Sequence, residues 1–507
     1  MLKRVGLKIN FIMLFLSLSG CGWISDDINV QEFRTHINVA HLRNSDGGST
    51  WNVKYHFSEP VNGIVFRRQR SHFRTNTWQP VNSLMKVAEL NGHEVIHSSS
   101  GSVTEIEIKM IPHFSDAPRD YEFFVPFSDG SMAIYTGHFD IRPLFCPGMR
   151  VCNPNDLLEK SSPKVVADYT FTPAPGEQVL VTDTLSTESV SWKSEREGRY
   201  IYFGNIPIHE ASHYRAIIDP KLPRWMQKKI AKAIPTLIDF YTVKTSFNLE
   251  AKPLVLFSYS ELASFSGTRG GVLHQQVRLS AFGSQWHDST DKNITDVMEL
   301  VAHELAHLWN GDLFFPGNGD FEAWMHEGGA DAFAYRALFE LSVINKTEYL
   351  ALQTQAVNRC VLGLYNSSLR SSDALKRYRN YYSCGAAIGL ISDAAVGKTG
   401  NSGLFSFWSE LFKTATTQGN AYTAQMYYSV LNNYGDGTAG SIIEQIVETQ
   451  LSQPDYFINN ALNKYGVETS ILRETPPWYE AEAREYTNGN LFQFISIRKH
   501  NALTFSH

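Results

Sequence analysis

From about Glu32 to Phe203, apolar and polar positions alternate with a period of two. Trp51, Val53, Tyr55 and Phe57 stand against Asn52, Lys54 and His56, and Ile106, Ile108 and Met110 repeat the pattern. Such alternation puts one face of a strand into a core and the other towards solvent. Further short runs, Tyr121–Val125, Met132–Phe139, Val165–Phe171 and Gln178–Val181, are set apart by Gly, Pro, Ser, Asn and Asp. The region predicts a β-sandwich-like sheet domain and carries no recognisable chemistry. After Pro220 and Pro223 the period becomes helical. Trp225, Met226, Ile230, Ile234, Leu237, Ile238 and Tyr241 share a face, and Pro235 is expected to kink or divide the run. A buried strand, Leu254–Phe257, follows, and Arg269–Ser280 reads as a loop entering an edge strand. A strand of that kind can pair with an extended peptide, which makes Gly270 and Gly271 candidate substrate-binding positions. A plain sheet edge with a Gly turn accounts for the spacing equally well.

Ile294, Val297, Met298, Val301, Ala302, Leu305 and Leu308 then recur at three- and four-residue intervals, with Asn293 or Thr295 near the start as a cap. Beyond Lys398 the pattern is one of short helices with glycine stops: Ala421–Tyr434 before Gly435, Ser441–Leu451, and Asp455–Tyr465 before Gly466. The tail from Thr475 is polar and aromatic and predicts no element.

The chemistry sits on the Ile294–Leu308 helix. His303 and His307 are one turn apart, so both imidazoles lie on one face and can share a metal ion, with Glu304 between them able to reach the water-bearing side. A second helical run, Trp324–Phe333, follows a loop containing Pro316, Gly317 and Gly319 and offers Glu327 as a third ligand. Two imidazoles and a carboxylate suit one zinc ion and leave its fourth position open, the pattern of a catalytic site. Asp331, one turn beyond Glu327, can accept the outer N–H of a ligating histidine and fix its tautomer.

With 507 residues the chain has room for several domains, and 43% apolar content is enough to fill their cores. Lys and Arg number 45 against 51 Asp and Glu, with no long single-sign run, so nothing marks a nucleic-acid partner. The first twenty residues read as a targeting segment: Lys3, Arg4 and Lys8 precede an apolar run, Ile9–Leu18, too short to span a bilayer. Leu18-Ser19-Gly20-Cys21 looks like a bacterial lipobox, which makes Cys21 a lipidation site and the new N-terminus. The expected location is the bacterial cell envelope, anchored by an N-terminal lipid, and Gly22 resembles the residue found in lipoproteins that move on to an outer membrane facing the periplasm. Four cysteines remain, Cys146, Cys152, Cys360 and Cys384, and disulfides are allowed in an exported chain. Cys146 and Cys152 enclose a turn; Cys360 and Cys384 span a helix–loop segment.

His-Glu-Leu-Ala-His-Leu-Trp-Asn from His303, Trp-x-x-Glu-Gly-x-Ala from Trp324 and Tyr-Ser-Cys-Gly-Ala from Tyr382 together resemble the gluzincin metallopeptidases of the aminopeptidase N and glycyl aminopeptidase type. The match is specific over roughly Leu254–Ala395. With a signal peptide at 1–20, an N-terminal β-rich domain at 21–204 and a C-terminal helical region at 399–507 read from the pattern itself, the expected chain is multidomain α+β, and the resemblance implies a thermolysin-like zinc metallopeptidase domain at 205–398. It implies His303, His307 and Glu327 as zinc ligands, Glu304 as general base and Tyr382 as the hydroxyl that stabilises the oxyanion, acting on a peptide or protein substrate. Two departures matter. His307 and Glu327 have nineteen residues between them, one more than is usual in aminopeptidase N relatives, and the one-shorter position is His326. Gly328 and Ala330 follow Glu327 as in the family, which selects Glu327. The family's amine-binding glutamate is replaced by Leu273 in Gly270-Gly-Val-Leu-His274, and a leucine cannot hold an ammonium group; Glu261, Glu299 and Glu322 are the acids considered as substitutes. An aminopeptidase-like activity, an endopeptidase, and a non-catalytic binding or scaffolding lipoprotein are therefore all carried forward.

Overall fold

The computed structural model describes residues 32–500, apart from 45–47, 70–71, 113–120, 146–162, 195–197, 264, 373–374, 473 and 488–491. The targeting segment, Cys21, Cys146 and Cys152 lie outside the described residues. Among those residues no helix is long and apolar enough to cross a membrane.

The alternating region forms three sheets. In the six-stranded one, Glu32–Arg43 runs antiparallel to Ser49–Val61 and parallel to Lys164–Thr172. A four-stranded sheet and a five-stranded sheet complete the N-terminal part. Alternate residues such as Phe33, Ile37, Trp51, Val53, Tyr55, Ile106, Ile108 and Phe171 turn into one core shared by all three. The β-rich prediction holds, with three sheets enclosing the core where the alternation alone pointed to a sandwich.

The five-stranded sheet has a second use. Val125, Tyr135, Leu180 and Tyr200 pack against Leu254, Leu256 and Leu273, and so press the N-terminal part onto the sheet that follows. That following sheet has the order His209–Glu210, Arg215–Ile218, Leu254–Ser260, Gln276–Phe282, Gly267–Leu273. Its last strand is the edge, antiparallel to its neighbour, with Gly271 opposite Arg278 and Leu273 opposite Gln276. His274 and Gln275 make the connecting turn with φ of 46° and 62°, the left-handed pair a two-residue hairpin needs. The Gln275 N–H donates to Asp312 Oδ2 at 2.8 Å, which ties the turn to the segment just after the histidine helix.

Pro235 does not divide its helix, which runs unbroken over Arg224–Thr245. An interior proline costs about 3 kcal/mol. Met226, Ile230, Ile234, Leu237, Ile238 and Tyr241 are all buried along one face, and each such side chain gains about 1.5–3 kcal/mol on burial, so packing wins. Tyr241 also donates to the Ala302 carbonyl at 3.0 Å, seating this helix on the histidine helix.

The helices from Leu404 to Lys464 do not form a separate core. Apolar residues from Tyr214 to Ile497 join one cluster that includes Leu404–Ala415 and Tyr427–Leu431. The tail carries structure the sequence pattern left blank: a helix, Pro477–Thr487, and a strand, Phe494–His500, antiparallel to Val467–Leu472. Asn358 fastens this strand to the helix Lys346–Gly363 by exchanging two hydrogen bonds with the Ile495 backbone, 2.7 and 2.8 Å. Cys360 on the same helix is disulfide-bonded to Cys384 on Arg379–Lys398. Closing a loop with a sequence separation of 24 is worth about 3 kcal/mol through the unfolded chain.

Candidate metal centre

The histidine helix is Asp291–His307. Its cap is Thr290, whose hydroxyl accepts from the Asn293 N–H at 3.1 Å, rather than Asn293 or Thr295. The Asn293 side chain instead donates to the Gln285 and Asp288 carbonyls and braces the loop before the helix. After His307 the backbone widens into a π-helical turn, Leu308–Leu313, a local form that recurs at functional sites. Here it delivers Asn310 to the interior. Asn310 Oδ1 lies 3.1 Å from His307 Nδ1, and its Nδ2 donates to the Met325 and His326 carbonyls.

Glu327 is carried by the helix Ala323–Glu340. This helix crosses Arg379–Lys398 where Gly328 meets Gly385: a Cβ on Gly328 would stand 2.3 Å from Gly385 Cα, and one on Gly385 would stand 2.0 Å from the Trp324 carbonyl oxygen. Only glycine permits that approach. The crossing draws Glu327 and the tyrosine pair at the start of the second helix to one place.

His303 Nε2 and His307 Nε2 are 3.1 Å apart, and each is 3.4 Å from Glu327 Oε2. Tetrahedral bonds of about 2.0–2.1 Å would separate such donors by about 3.3 Å. His303 Nδ1 is held by Asp331 Oδ1 at 2.7 Å and His307 Nδ1 by Asn310, which turns both Nε2 atoms to the shared point. Burial works against the charge on Glu327, yet the two imidazoles hold its carboxyl well below the usual range. These three residues fit one zinc ion. His326 lies outside the triad, its ring 4.2 Å from that of His307 and its Nδ1 3.2 Å from the Asn310 carbonyl oxygen; burial, reinforced by His307, pushes it down to about 4 and leaves it neutral.

Glu304 is 6% exposed and its Oε2 makes no hydrogen bond. Burial, with Glu327 adding, pushes its carboxyl up to about 7 against the pull of His303, which poises it to take up a proton near neutrality. Gly270 makes room for it: a Cβ there would stand 2.0 Å from Glu304 Oε1. Tyr382, 41% exposed, lies over His303 with ring centroids 5.9 Å apart. The protein packed around it and then the Glu327 carboxylate push its hydroxyl pKa upward, so it remains a donor.

These groups line a cleft of about 1580 Å³ whose other wall includes Gly270, Gly271, Leu273, Arg278 and Glu122. Leu273 is 5% exposed and belongs to the apolar contact with the N-terminal sheets. Of the acids considered as its substitutes, Glu261 pairs with His287, and Glu322 is buried, binding Asn318 and the Ala424 N–H. Glu299 lines the cleft, but burial and then Asp296 push it up to about 8, so at neutral pH it is mostly uncharged. Neither Asn310 nor the Glu122, Arg269 and Arg278 group drew a role from the sequence. Asn310 stands in the His-Leu-Trp-Asn run, where its identity was visible and its contact was not.

No protein-family model matches the chain, and no curated protein matches it. Among solved structures it is similar to an aminopeptidase N family protein from Idiomarina loihiensis, at 13% identity and a TM-score of 0.62 over 87% of this chain and 79% of that one. It is also similar to an M1 zinc metallopeptidase from Deinococcus radiodurans, at 13% identity and a TM-score of 0.44 over 84% and 96%. The first likeness is one of fold, and the second superposes too loosely to carry an argument. The α+β architecture, with its N-terminal β-rich domain and C-terminal helical region, matches that multidomain peptidase fold.

Proposed function

We propose that this chain is a zinc-dependent peptidase of the cell envelope. The observation that carries the reading is the convergence of His303 Nε2, His307 Nε2 and Glu327 Oε2 beside a buried, proton-poised Glu304. One zinc ion held by those three residues would supply Lewis acidity to a peptide carbonyl and acidify a water. Glu304 then takes the proton of the attacking water and returns it to the departing amine. Tyr382 donates its O–H to the oxygen on which negative charge develops. Asp331 and Asn310 hold the imidazoles in place, and the edge strand Gly267–Leu273 lies along the cleft to take an extended backbone.

The reading predicts about one zinc per purified chain. Peptide hydrolysis should stop with 1,10-phenanthroline and return when zinc is added back. Full zinc occupancy with no cleavage across a broad peptide library would sink it and favour the binding-module reading.

For the substrate's end, the environment of Leu273 favours an activity that needs no free amine. Glu122, the carboxylate beside that strand, is already held by two guanidiniums. Anchoring through Cys21 to an envelope membrane is part of the proposal, and the Cys360–Cys384 bridge supports an oxidising compartment. Substituting Cys21→Ser should move the protein out of the membrane fraction; retention there would refute the anchor.

A further inference from the structure

The register of the hairpin that borders the cleft fixes which of its backbone groups face outward. The Leu254 N–H donates to the Gln275 carbonyl at 2.8 Å while Leu254 stands level with Gln276, so Val277, Leu279 and Ala281 turn their peptide groups to that inner neighbour. Their partners across the hairpin, Val272, Gly270 and Thr268, therefore point N–H and C=O away from the sheet, along its open edge. Two of those three carbonyls are already filled. Tyr121 donates its hydroxyl to the Val272 oxygen at 2.8 Å, and Arg278 donates from Nη2 to the Gly270 oxygen at 2.7 Å. Both side chains reach across the strand over Gly271, where a Cβ would stand 3.7 Å from Arg278 Nη2 and 3.8 Å from Tyr121 Cε1. Among the described residues nothing accepts from the N–H groups of Thr268, Gly270 and Val272, and all three residues line the cleft.

A partner strand added to such an edge exchanges two hydrogen bonds with each outward residue, one accepted and one donated. Here the accepting half is occupied at Val272 and Gly270, and at Gly270 the donor is a charged one, the stronger kind. A substrate N–H set against those oxygens gives up its water for no new acceptor, which disfavours it. A substrate carbonyl instead meets N–H groups that are still open. Proline, an N-alkylated residue or an ester oxygen has no N–H to leave unmatched, so such backbones lose nothing at this edge.

We propose that Tyr121 and Arg278 make the cleft edge donor-only, so that the protein reads a substrate backbone through its carbonyl oxygens and accepts N-substituted or ester-linked backbones beside the scissile bond. The inference rests on the peptidase reading, which lays the substrate along Gly267–Leu273, but the binding step is read without turnover.

The test uses the zinc-loaded full chain carrying Glu304→Gln, which should not turn over, and N-acetyl hexa-alanine amide with its single-position analogues titrated by calorimetry. Each peptide bond in turn is made an ester or is N-methylated, which removes the N–H, or is made an E-alkene, which removes the carbonyl as well. At every position at least one of the two N–H-free forms should bind within about threefold of the parent, whereas alkenes at two positions two residues apart should bind about tenfold or more weaker. A position at which both N–H-free forms lose about tenfold overturns the proposal. A single sensitive alkene would be the carbonyl at the metal and overturns it too, as does a parent that fails to bind. Adding Tyr121→Leu or Arg278→Leu should reopen the Val272 or the Gly270 carbonyl and create a position where both N–H-free forms bind about tenfold weaker than the parent. Arg278 is 5% exposed, so Tyr121→Leu serves if the Arg278 variant does not fold, and unchanged indifference to the N–H in a folded variant overturns the assignment. Wild-type hydrolysis of the parent is scored separately. Carbonyl-only binding without any cleavage sinks only the peptidase reading, whereas cleavage with N–H-dependent binding sinks only this inference.

Discussion

A Glu304→Gln protein is expected to keep its zinc and to lose peptide hydrolysis by about 10²–10⁴-fold in kcat, the range for removing a positioned general base. The substitution is close to isosteric, which matters because Glu304 sits against the backbone at Gly270 with no room for a longer or differently shaped group. An amide cannot accept the water's proton. It also removes a negative charge beside Glu327, but the carboxylate and two imidazoles of the triad remain to hold the cation. Zinc content and kcat measured on the same preparation separate the possibilities. Near-normal turnover would remove Glu304 from the mechanism, and a matching loss of zinc would make it a structural residue.

How much of this was legible beforehand follows the range of the interactions. The histidine helix was readable because its apolar stripe and the one-turn spacing of His303 and His307 are both local. Glu327 and Asp331 were readable for the same reason, once a second helical run was accepted. The place where those helices meet was not, since the Gly328–Gly385 crossing joins segments whose glycines say nothing, alone, about each other. The tail was blank because Phe494–His500 owes its strand form to Val467–Leu472 and to Asn358, not to its own alternation. Pro235 misled because the proline rule is local and the burial that overrides it is tertiary. The Glu122 cluster is the extreme case. Its ion pairs link positions 147 and 156 residues apart, across the contact between an N-terminal sheet and the cleft, and no pattern in either segment announces them. The replacement of a glutamate by Leu273 was visible in sequence. Only the fold adds that a guanidinium pair stands on the same hairpin.

The same geometry makes a sharp distinction between two adjacent tyrosines. Tyr382→Phe is expected to lower kcat by about 10²–10³-fold, as loss of one oxyanion donor does, with zinc content unchanged and KM little affected, because the lost bond is made to charge that develops only in the transition state. The benzene ring that covers His303 remains, so the substitution removes a hydroxyl and leaves the packing. Tyr381, the residue before it, is 3% exposed and belongs to the apolar core of the helical lobe. Tyr381 reaches the wall of the same cleft, but its hydroxyl is buried, so Tyr381→Phe should change kcat by less than about threefold. Steady-state kinetics of the two variants, run side by side at matched zinc occupancy, decide the matter. A large kcat loss in the Tyr381 variant with a silent Tyr382 variant would transfer the oxyanion role to the buried neighbour, and silence in both would leave that charge to the metal and the backbone alone.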